Sequence, residues 1–302
     1  MTNTTDTTAR TPQVGKAPGT LSVRPAPLFV VSDIDGTFLN SKERVSPRLR
    51  AAVSNMTRRG TVFTLASGRP ARWLLPVLEQ LSVKPMCVCA NGAVVYDSAS
   101  DTIVRANELS ASTLAATVRR LASEREHRPG TALDGMSFAV ERTGRSAFDR
   151  AEELFCVTEM YDHAWISDEH NVMSEEELVS KPAVKLLVRN PQVSSQELYD
   201  AVAPLLDPQE VAATFSWGGG LVEISAPGTS KRSALEWIAS DIGVTGADTV
   251  AFGDMPNDLE MLTWAGLGVA MGNAHEEVKA AADIVTGDND SDGVADVLEM
   301  WF

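Results

Sequence analysis

Leu28-Phe29-Val30-Val31-Ser32-Asp33-Ile34-Asp35-Gly36-Thr37 (residues 28–37) is the stretch that decides the fold. A four-residue apolar run that stops at Ser32-Asp33 reads as a parallel strand buried on both faces, because such strands lack the in–out alternation of half-exposed ones. Ser46-Pro47 then supplies an N-cap and a proline at the first helical position. Leu49, Val53 and Met56 follow at helical spacing, and Gly60 ends the helix. Thr61 to Ala66 reads as a second strand. Pro70 opens another helix, with Leu74, Leu75, Leu78 and Leu81 on one face. Met86 to Ala90 is a third strand, and Val94 to Tyr96 a candidate fourth. The order β-α-β-α-β predicts an α/β fold, a doubly wound parallel sheet of Rossmann-like type.

Farther on the pattern changes. A helix runs from about Ser110 to Glu126, with Leu114, Val118 and Leu121 on one face. Residues 128–180 give no clear periodicity. Ala183 to Val188 reads as a strand and 194–206 as a helix. Val211 to Trp217 and Leu221 to Ser225 read as a hairpin around Gly218-Gly219-Gly220. Beyond Pro227 the alternating order returns: helix 230–242, strand Asp248 to Phe252, helix Pro256 to Ala265, strand Leu267 to Met271, a helix through Val278 and a terminal helix from about Asp292. The expected organisation is a disordered tail over 1–24, a core over 25–107 and 225–302, and a second α/β domain, 108–224, inserted into it.

Three loops fall at the carboxyl ends of predicted parallel strands, where open α/β sheets bind their ligands. Asp33 and Asp35, at i and i+2, can share a divalent cation that prefers oxygen, or divide nucleophilic and proton-transfer work. The same residues also suit an ordinary polar βα turn. Gly253-Asp254-Met255-Pro256-Asn257-Asp258 is a second acidic loop, and two such loops at equivalent strand ends weigh against mere turn chemistry in both. Ala66-Ser67-Gly68-Arg69 offers a hydroxyl and free N–H groups to phosphate oxygens. Lys231, in a helix's first turn, opposes the helix dipole and reads either as a solvated lysine or as one with another task.

The whole composition narrows the partners. In 302 residues, 26 Lys+Arg face 41 Asp+Glu, a formal charge of −15. That argues against a nucleic-acid or anionic-membrane partner, each of which needs a basic footprint, while leaving room for an anionic small substrate in a local pocket. No apolar run reaches the ~18 residues of a membrane span. Cys87, Cys89 and Cys156 fit no disulfide scaffold, and Cys87 and Cys89 alternate within an apolar strand as core residues do. His127, His163, His170 and His275 show no ligand spacing. The Thr- and Pro-rich start lacks the apolar segment of a signal peptide, so Asn3 in Asn-x-Thr carries no glycosylation signal and a cytoplasmic protein is expected. Asp288-Asn289-Asp290-Ser291-Asp292-Gly293, with Glu299, matches an EF-hand calcium loop, but a predicted strand at Asp283-Ile284-Val285 stands where the first helix belongs. An Asp-capped terminal helix with Val294, Val297, Leu298 and Trp301 inward is expected instead.

Taken in order, DIDGT (33–37), ASGR (66–69), the Lys231 segment and GDMPND (253–258) resemble the four motifs of the haloacid dehalogenase superfamily of phosphohydrolases. The likeness is greatest to its Cof-type branch, which carries a C2-type α/β cap between the second and third motifs; Ala90-Asn91-Gly92-Ala93 also looks like that branch. The second motif departs slightly, with Ser67 where Thr is commoner, and keeps the hydroxyl. The resemblance implies a Mg²⁺-dependent phosphatase acting on small phosphorylated metabolites, sugar phosphates among them. It implies that Asp33 is the nucleophile, forming an aspartyl-phosphate, and Asp35 the general acid and base. Asp33, the Asp35 carbonyl and Asp254 would hold Mg²⁺, with Asp258 behind them. Ser67, Lys231 and Asn257 would bind the phosphoryl group, with backbone N–H groups near Ile34 and Gly68. Two rival readings remain: a phosphotransferase or phosphomutase on the same scaffold, and a non-catalytic phosphosugar-binding protein. Asp134, Phe138, Glu141 and Lys185 are candidate substrate-facing residues of the cap. Oligomeric state is not legible.

Overall fold

The computed structural model describes residues 24–163, 169–215 and 218–302. The expected tail over 1–24 therefore lies outside the described residues except for Arg24, which is tied down: its guanidinium donates to the Gly266 carbonyl, and its own carbonyl accepts from the Trp301 indole.

Two sheets carry the architecture. The first has eight strands, in the order β14 (Ile284–Val285), β13 (Leu267–Ala270), β12 (Thr249–Gly253), β1 (Phe29–Asp33), β2 (Val62–Ala66), β3 (Met86–Cys89), β4 (Val94–Asp97) and β5 (Thr102–Ala106). From β14 to β3 every pairing is parallel. β1 lies between β12 and β2, and all five of its residues are buried, as its unbroken apolar character requires. The helix Pro47–Arg58 crosses from β1 to β2. Ser46 caps it, accepting from the Leu49 N–H at 3.0 Å, and Leu49, Val53 and Met56 are buried against the sheet. Helices Lys231–Asp241, Leu259–Trp264 and Glu276–Ala281 make the later crossovers.

Three details of the first sheet and its helices differ from what the sequence predicts. The helix after Pro70 is a 3₁₀ turn, Ala71–Leu74, followed by one α-turn, Leu75–Leu78. A three-residue turn puts Leu74 and Val77 on the inner face, both buried, and leaves Leu75, Leu78 and Leu81 half-buried. β4 runs antiparallel to β3, since the four residues between them are too few for a crossover. β5, an edge strand not anticipated, alternates exposed and half-buried residues and has no apolar run to betray it.

The second sheet has six strands: β10 (Ala212–Thr214), β11 (Leu221–Ser225), β9 (Lys185–Arg189), β6 (Ser137–Glu141), β7 (Phe155–Val157) and β8 (Asn171–Val172). All its pairings are antiparallel except β7 with β8. The expected hairpin is the β10–β11 pair; Trp217 lies outside the described residues. β9 starts two residues later than expected, because Ala183 instead bridges to Leu109. Strand alternation gives this sheet two unlike faces. Phe138, Val140, Cys156, Leu186, Val188, Val222 and Ile224 pack under helices Ala111–His127 and Ser195–Val202. The other parity carries Ala139, Val157, Leu187 and Leu221, covered by Tyr161, together with Glu141, Lys185 and Glu223, which reach the turns that follow β2 and β3 of the first sheet.

Candidate active site

The strand order makes the site. β12, β1 and β2 are neighbours, so the loops leaving their carboxyl ends meet although the β12 loop follows the β1 loop by more than 200 residues in the chain. β1 ends on Asp33 and turns sharply through Gly36, at φ +76°. A Cβ on Gly36 would sit 2.3 Å from Asp254 Oδ2, so only glycine admits this approach of the two acidic loops. The Thr37 hydroxyl then donates to Asp254 Oδ1 at 2.9 Å.

Lys231 is the hub. Its ammonium, 1% exposed, donates to Asp33 Oδ1 at 2.5 Å and to Asp258 Oδ1 at 2.6 Å. The other Asp258 oxygen accepts from the Asp254 and Met255 N–H groups at 3.0 and 3.1 Å. Asp258 thus has both oxygens engaged and shapes the loop that presents Asp254. Carboxylate oxygens of Asp33, Asp254 and Asp258 lie within 4.8 Å of one another, the one such grouping of metal-capable side chains among the described residues. Burial drives the Asp33 carboxyl well above its usual range, against the pull of Lys231, and Asp258 and Asp254 add to the rise. Burial and Asp258 push Asp254 up to about 6. Burial acts to lower the Lys231 pKa, but Asp258 and Asp33 outweigh it and the net shift is upward. Three buried carboxylates against one ammonium leave an excess of negative charge that a hard divalent cation would balance, so the donor set fits the expected Mg²⁺.

Asp35 points elsewhere. Its carboxylate is half-exposed, with both oxygens paired to the Nε–Nη2 edge of the Arg69 guanidinium, one contact at 2.9 Å, outside the carboxylate cluster. Asp35 therefore brings no carboxylate oxygen to that cluster. Ser67 is buried; its Oγ accepts from the Arg69 N–H at 3.1 Å, which leaves the hydroxyl proton to give. The Ile34 side chain is fully buried, so only its backbone can face a ligand. Gly68 accepts from the Lys185 ammonium at its carbonyl, 3.3 Å away. Asn257 donates to Asn91 Oδ1 at 3.1 Å, while its own Oδ1 is buried without a partner.

Of the four substrate-facing candidates, Glu141 and Lys185, on the second sheet, reach the core. Glu141 pairs twice with Arg72, once at 2.9 Å, and Lys185 pairs with Glu223 at 3.0 Å, all four side chains at most 10% exposed. Phe138 does not reach it: three residues from Glu141 on one strand, it lies on the opposite, helix-covered face. Asp134 sits exposed in a turn, bonded to the Gly130 N–H. Arg72, Asn91 and Glu223 were missed as site neighbours. The signal for Glu223 was a lone charge between Val222 and Ile224 in an apolar strand.

The calcium-like loop is engaged structurally. Glu299 is held by Arg48 at 3.0 and 2.5 Å, and Asp290 accepts from the Ser41 N–H at 2.8 Å. No aspartate side chain caps the final helix, Gly293–Leu298, as had been expected; Asp292 is in the left-handed region, φ +62°, and makes no cap bond. Val294, Val297 and Leu298 are buried as expected, and Trp301 is half-buried. Calorimetric titration of calcium into Mg²⁺-saturated protein should show no tight site that is lost in Asp290→Ala; such a site would overturn this account. The three cysteines are free and buried.

Comparison with known proteins identifies the family. A family model described as haloacid dehalogenase-like hydrolase matches residues 30–298. An Escherichia coli 5-amino-6-(5-phospho-D-ribitylamino)uracil phosphatase is 28% identical over 275 residues, spanning 90% of this chain and 94% of the relative. A chloroplastic endoribonuclease of Arabidopsis thaliana is 26% identical over 291 residues, spanning 90% of this chain but only 46% of its own length, so this chain corresponds to under half of that protein. A crystal structure of a haloacid dehalogenase-like hydrolase from Bacteroides thetaiotaomicron superposes with a TM-score of 0.70 at 26% identity, covering 91% of this chain and 99% of its own. The family match runs from within β1 to the last residue of the final helix, and the chain belongs to the haloacid dehalogenase-like hydrolases.

Proposed function

We propose that this protein is a Mg²⁺-dependent phosphatase that hydrolyses small phosphorylated metabolites through an aspartyl-phosphate on Asp33. The observation that carries this reading is Lys231, fully buried and shared between Asp33 and Asp258 beside Asp254. A lysine held there can neutralise a phosphoryl group arriving at Asp33, and phosphoryl transfer asks mainly for such positioning and charge stabilisation.

In this reading an Asp33 oxygen bonds to phosphorus as the bond to the leaving oxygen breaks. Asp35, once parted from Arg69, gives the leaving oxygen its proton and then takes one from the water that cleaves the acyl phosphate. Ser67, Lys231, Asn257 and backbone N–H groups near Ile34 and Gly68 hold the phosphoryl oxygens. Mg²⁺, held by Asp33, Asp254 and the Asp35 carbonyl with Asp258 behind them, would neutralise charge between carboxylate and phosphate. The segment 108–224 acts as the cap over residues 25–107 and 225–302. Its charged pair, Lys185 and Glu223, offers both a donor and an acceptor near Gly68, which suits a hydroxyl-bearing leaving group such as a sugar or a polyol; the ribityl phosphate named for the E. coli relative is of that kind. No described helix is long and apolar enough to cross a membrane.

Phosphate release from p-nitrophenyl phosphate and from a panel of phosphorylated metabolites tests the reading. EDTA should abolish release and added Mg²⁺ restore it. Turnover that survives exhaustive chelation would remove the metal from the scheme, and no release from any substrate would remove the phosphatase.

A further inference from the structure

Asn91 occupies a position that its motif alone does not explain. It is half-buried, in the left-handed region at φ +55°, and bonds to two of the candidate phosphate-binding loops and to the second sheet. Its N–H donates to the Ser67 carbonyl at 3.0 Å. A Cβ on Gly68 would come 3.2 Å from its Oδ1, and a Cβ on Gly92, its neighbour, would come 2.0 Å from the Ser230 carbonyl, just before Lys231. Its Oδ1 accepts from Asn257 Nδ2 at 3.1 Å, and its Nδ2 donates to Glu223 Oε2, on β11 of the second sheet, at 2.8 Å.

The chemistry gives this chain a fixed direction. Glu223 as a carboxylate can only accept, so the amide nitrogen of Asn91 must face it. The Asn91 oxygen must then face Asn257, and Asn257 must turn its nitrogen to Asn91. Lys185 anchors the same Glu223 oxygen at 3.0 Å and reaches the Gly68 carbonyl. We propose that Asn91 is a positioning residue that couples docking of the second sheet to assembly of the phosphoryl site: Glu223 orients Asn91, and Asn91 orients Asn257 against the Ser67-Gly68 loop. The proposal rests on the phosphatase reading for its kinetic consequence but not for its conformational one. Undocked, Asn91 loses the acceptor that sets its amide, and Asn257 loses its fixed orientation with it.

The test reverses the polarity of one bond. Asn91→Asp keeps size and tolerance of the left-handed region, and its oxygen still accepts from Asn257, but it sets a carboxylate against Glu223. Glu223→Gln then supplies an N–H to that carboxylate, and Lys185, which shared the replaced oxygen, keeps the Gly68 carbonyl as its acceptor. Asn91→Asp should lower kcat/KM for p-nitrophenyl phosphate about 10- to 100-fold, the usual scale for losing a hydrogen bond to a charged group, and the double variant should recover to within about threefold of the parent. In parallel, dyes on Ala51→Cys and Ala116→Cys, exposed positions on the two halves, report the separation without any substrate; the native cysteines are buried. Asn91→Asp should lengthen that distance, Asn91→Asp with Glu223→Gln should restore it, and Glu223→Ala, which alters only the second sheet, should lengthen it too. Equal impairment of Asn91→Asp and the double variant, or an unchanged distance in Asn91→Asp, overturns the proposal. A parent protein that releases no phosphate overturns the phosphatase reading instead, and the distances still decide the coupling.

Discussion

Asp33→Asn should lower phosphate release by at least about 10⁴-fold while leaving the fold intact. The amide is nearly isosteric but cannot act as the nucleophile, and loss of a covalent catalyst removes the route rather than slowing one step of it. The fold should tolerate the change because it relieves a cost. Asp33 is buried among Asp254 and Asp258, and those neighbours together with burial disfavour its charge. Lys231 keeps Asp258 as its partner. Thermal unfolding should therefore occur at or above the parental temperature, and mass spectrometry should find no phosphoryl adduct on the variant after incubation with substrate. An Asp33→Asn protein with parental turnover would end the covalent scheme. One that is inactive because it is unfolded would contradict the account of its charge environment.

Lys231→Ala should fail on both counts. The lysine is the cation that neutralises two buried carboxylates, and removing one member of a buried ionic group costs about 3–5 kcal/mol, because the remaining charges stay desolvated and unpaired. Against a typical total of ~5–15 kcal/mol that is a large fraction, so the midpoint of urea unfolding should fall markedly. Turnover should fall by about 10³-fold, the scale of losing a preorganised charge at a phosphoryl or oxyanion site, with a raised KM because the lysine faces phosphate in ground and transition states alike. Parental stability in Lys231→Ala would mean that the three aspartates are not jointly ionised in the folded protein. Unchanged KM and kcat would remove Lys231 from the phosphoryl site.

The parts of the molecule that were legible are those whose physics is local. β1, β2 and β12 are continuous apolar runs because parallel central strands are covered on both faces, and each ends in the loop that carries a candidate residue. Strand ends are readable, and neighbouring parallel strands bring those ends together without any side-chain information. β5 was illegible because a half-covered edge strand needs no apolar run, and the stretch after Pro70 misled because 3.6 and 3.0 residues per turn select different leucines over so short a span. Asp35 falls in the turn that follows β1, where the sequence puts it, yet nothing in its neighbours announces that its carboxylate turns to Arg69. The pairs Arg72–Glu141 and Asn91–Glu223 depend on how two sheets dock, which no local pattern encodes. Phe138 is the instructive error: counting parity from Glu141 along one strand would have excluded it.

The central place of β1 has a cost in time. Phe29 pairs with Thr249 on one side and Val62 on the other, so one flank of the strand has no partner until about 220 more residues have been made. At roughly 5–20 residues per second, synthesis leaves that apolar edge open for about 10–45 s. The six-stranded sheet draws on an unbroken stretch, 137–225, and has all its strands before β12 emerges from the ribosome. A nascent chain of this protein is thus open to strand-edge aggregation through β1 until β12 is made, and a chaperone that shields the span from β1 to β2 would act where the need is greatest.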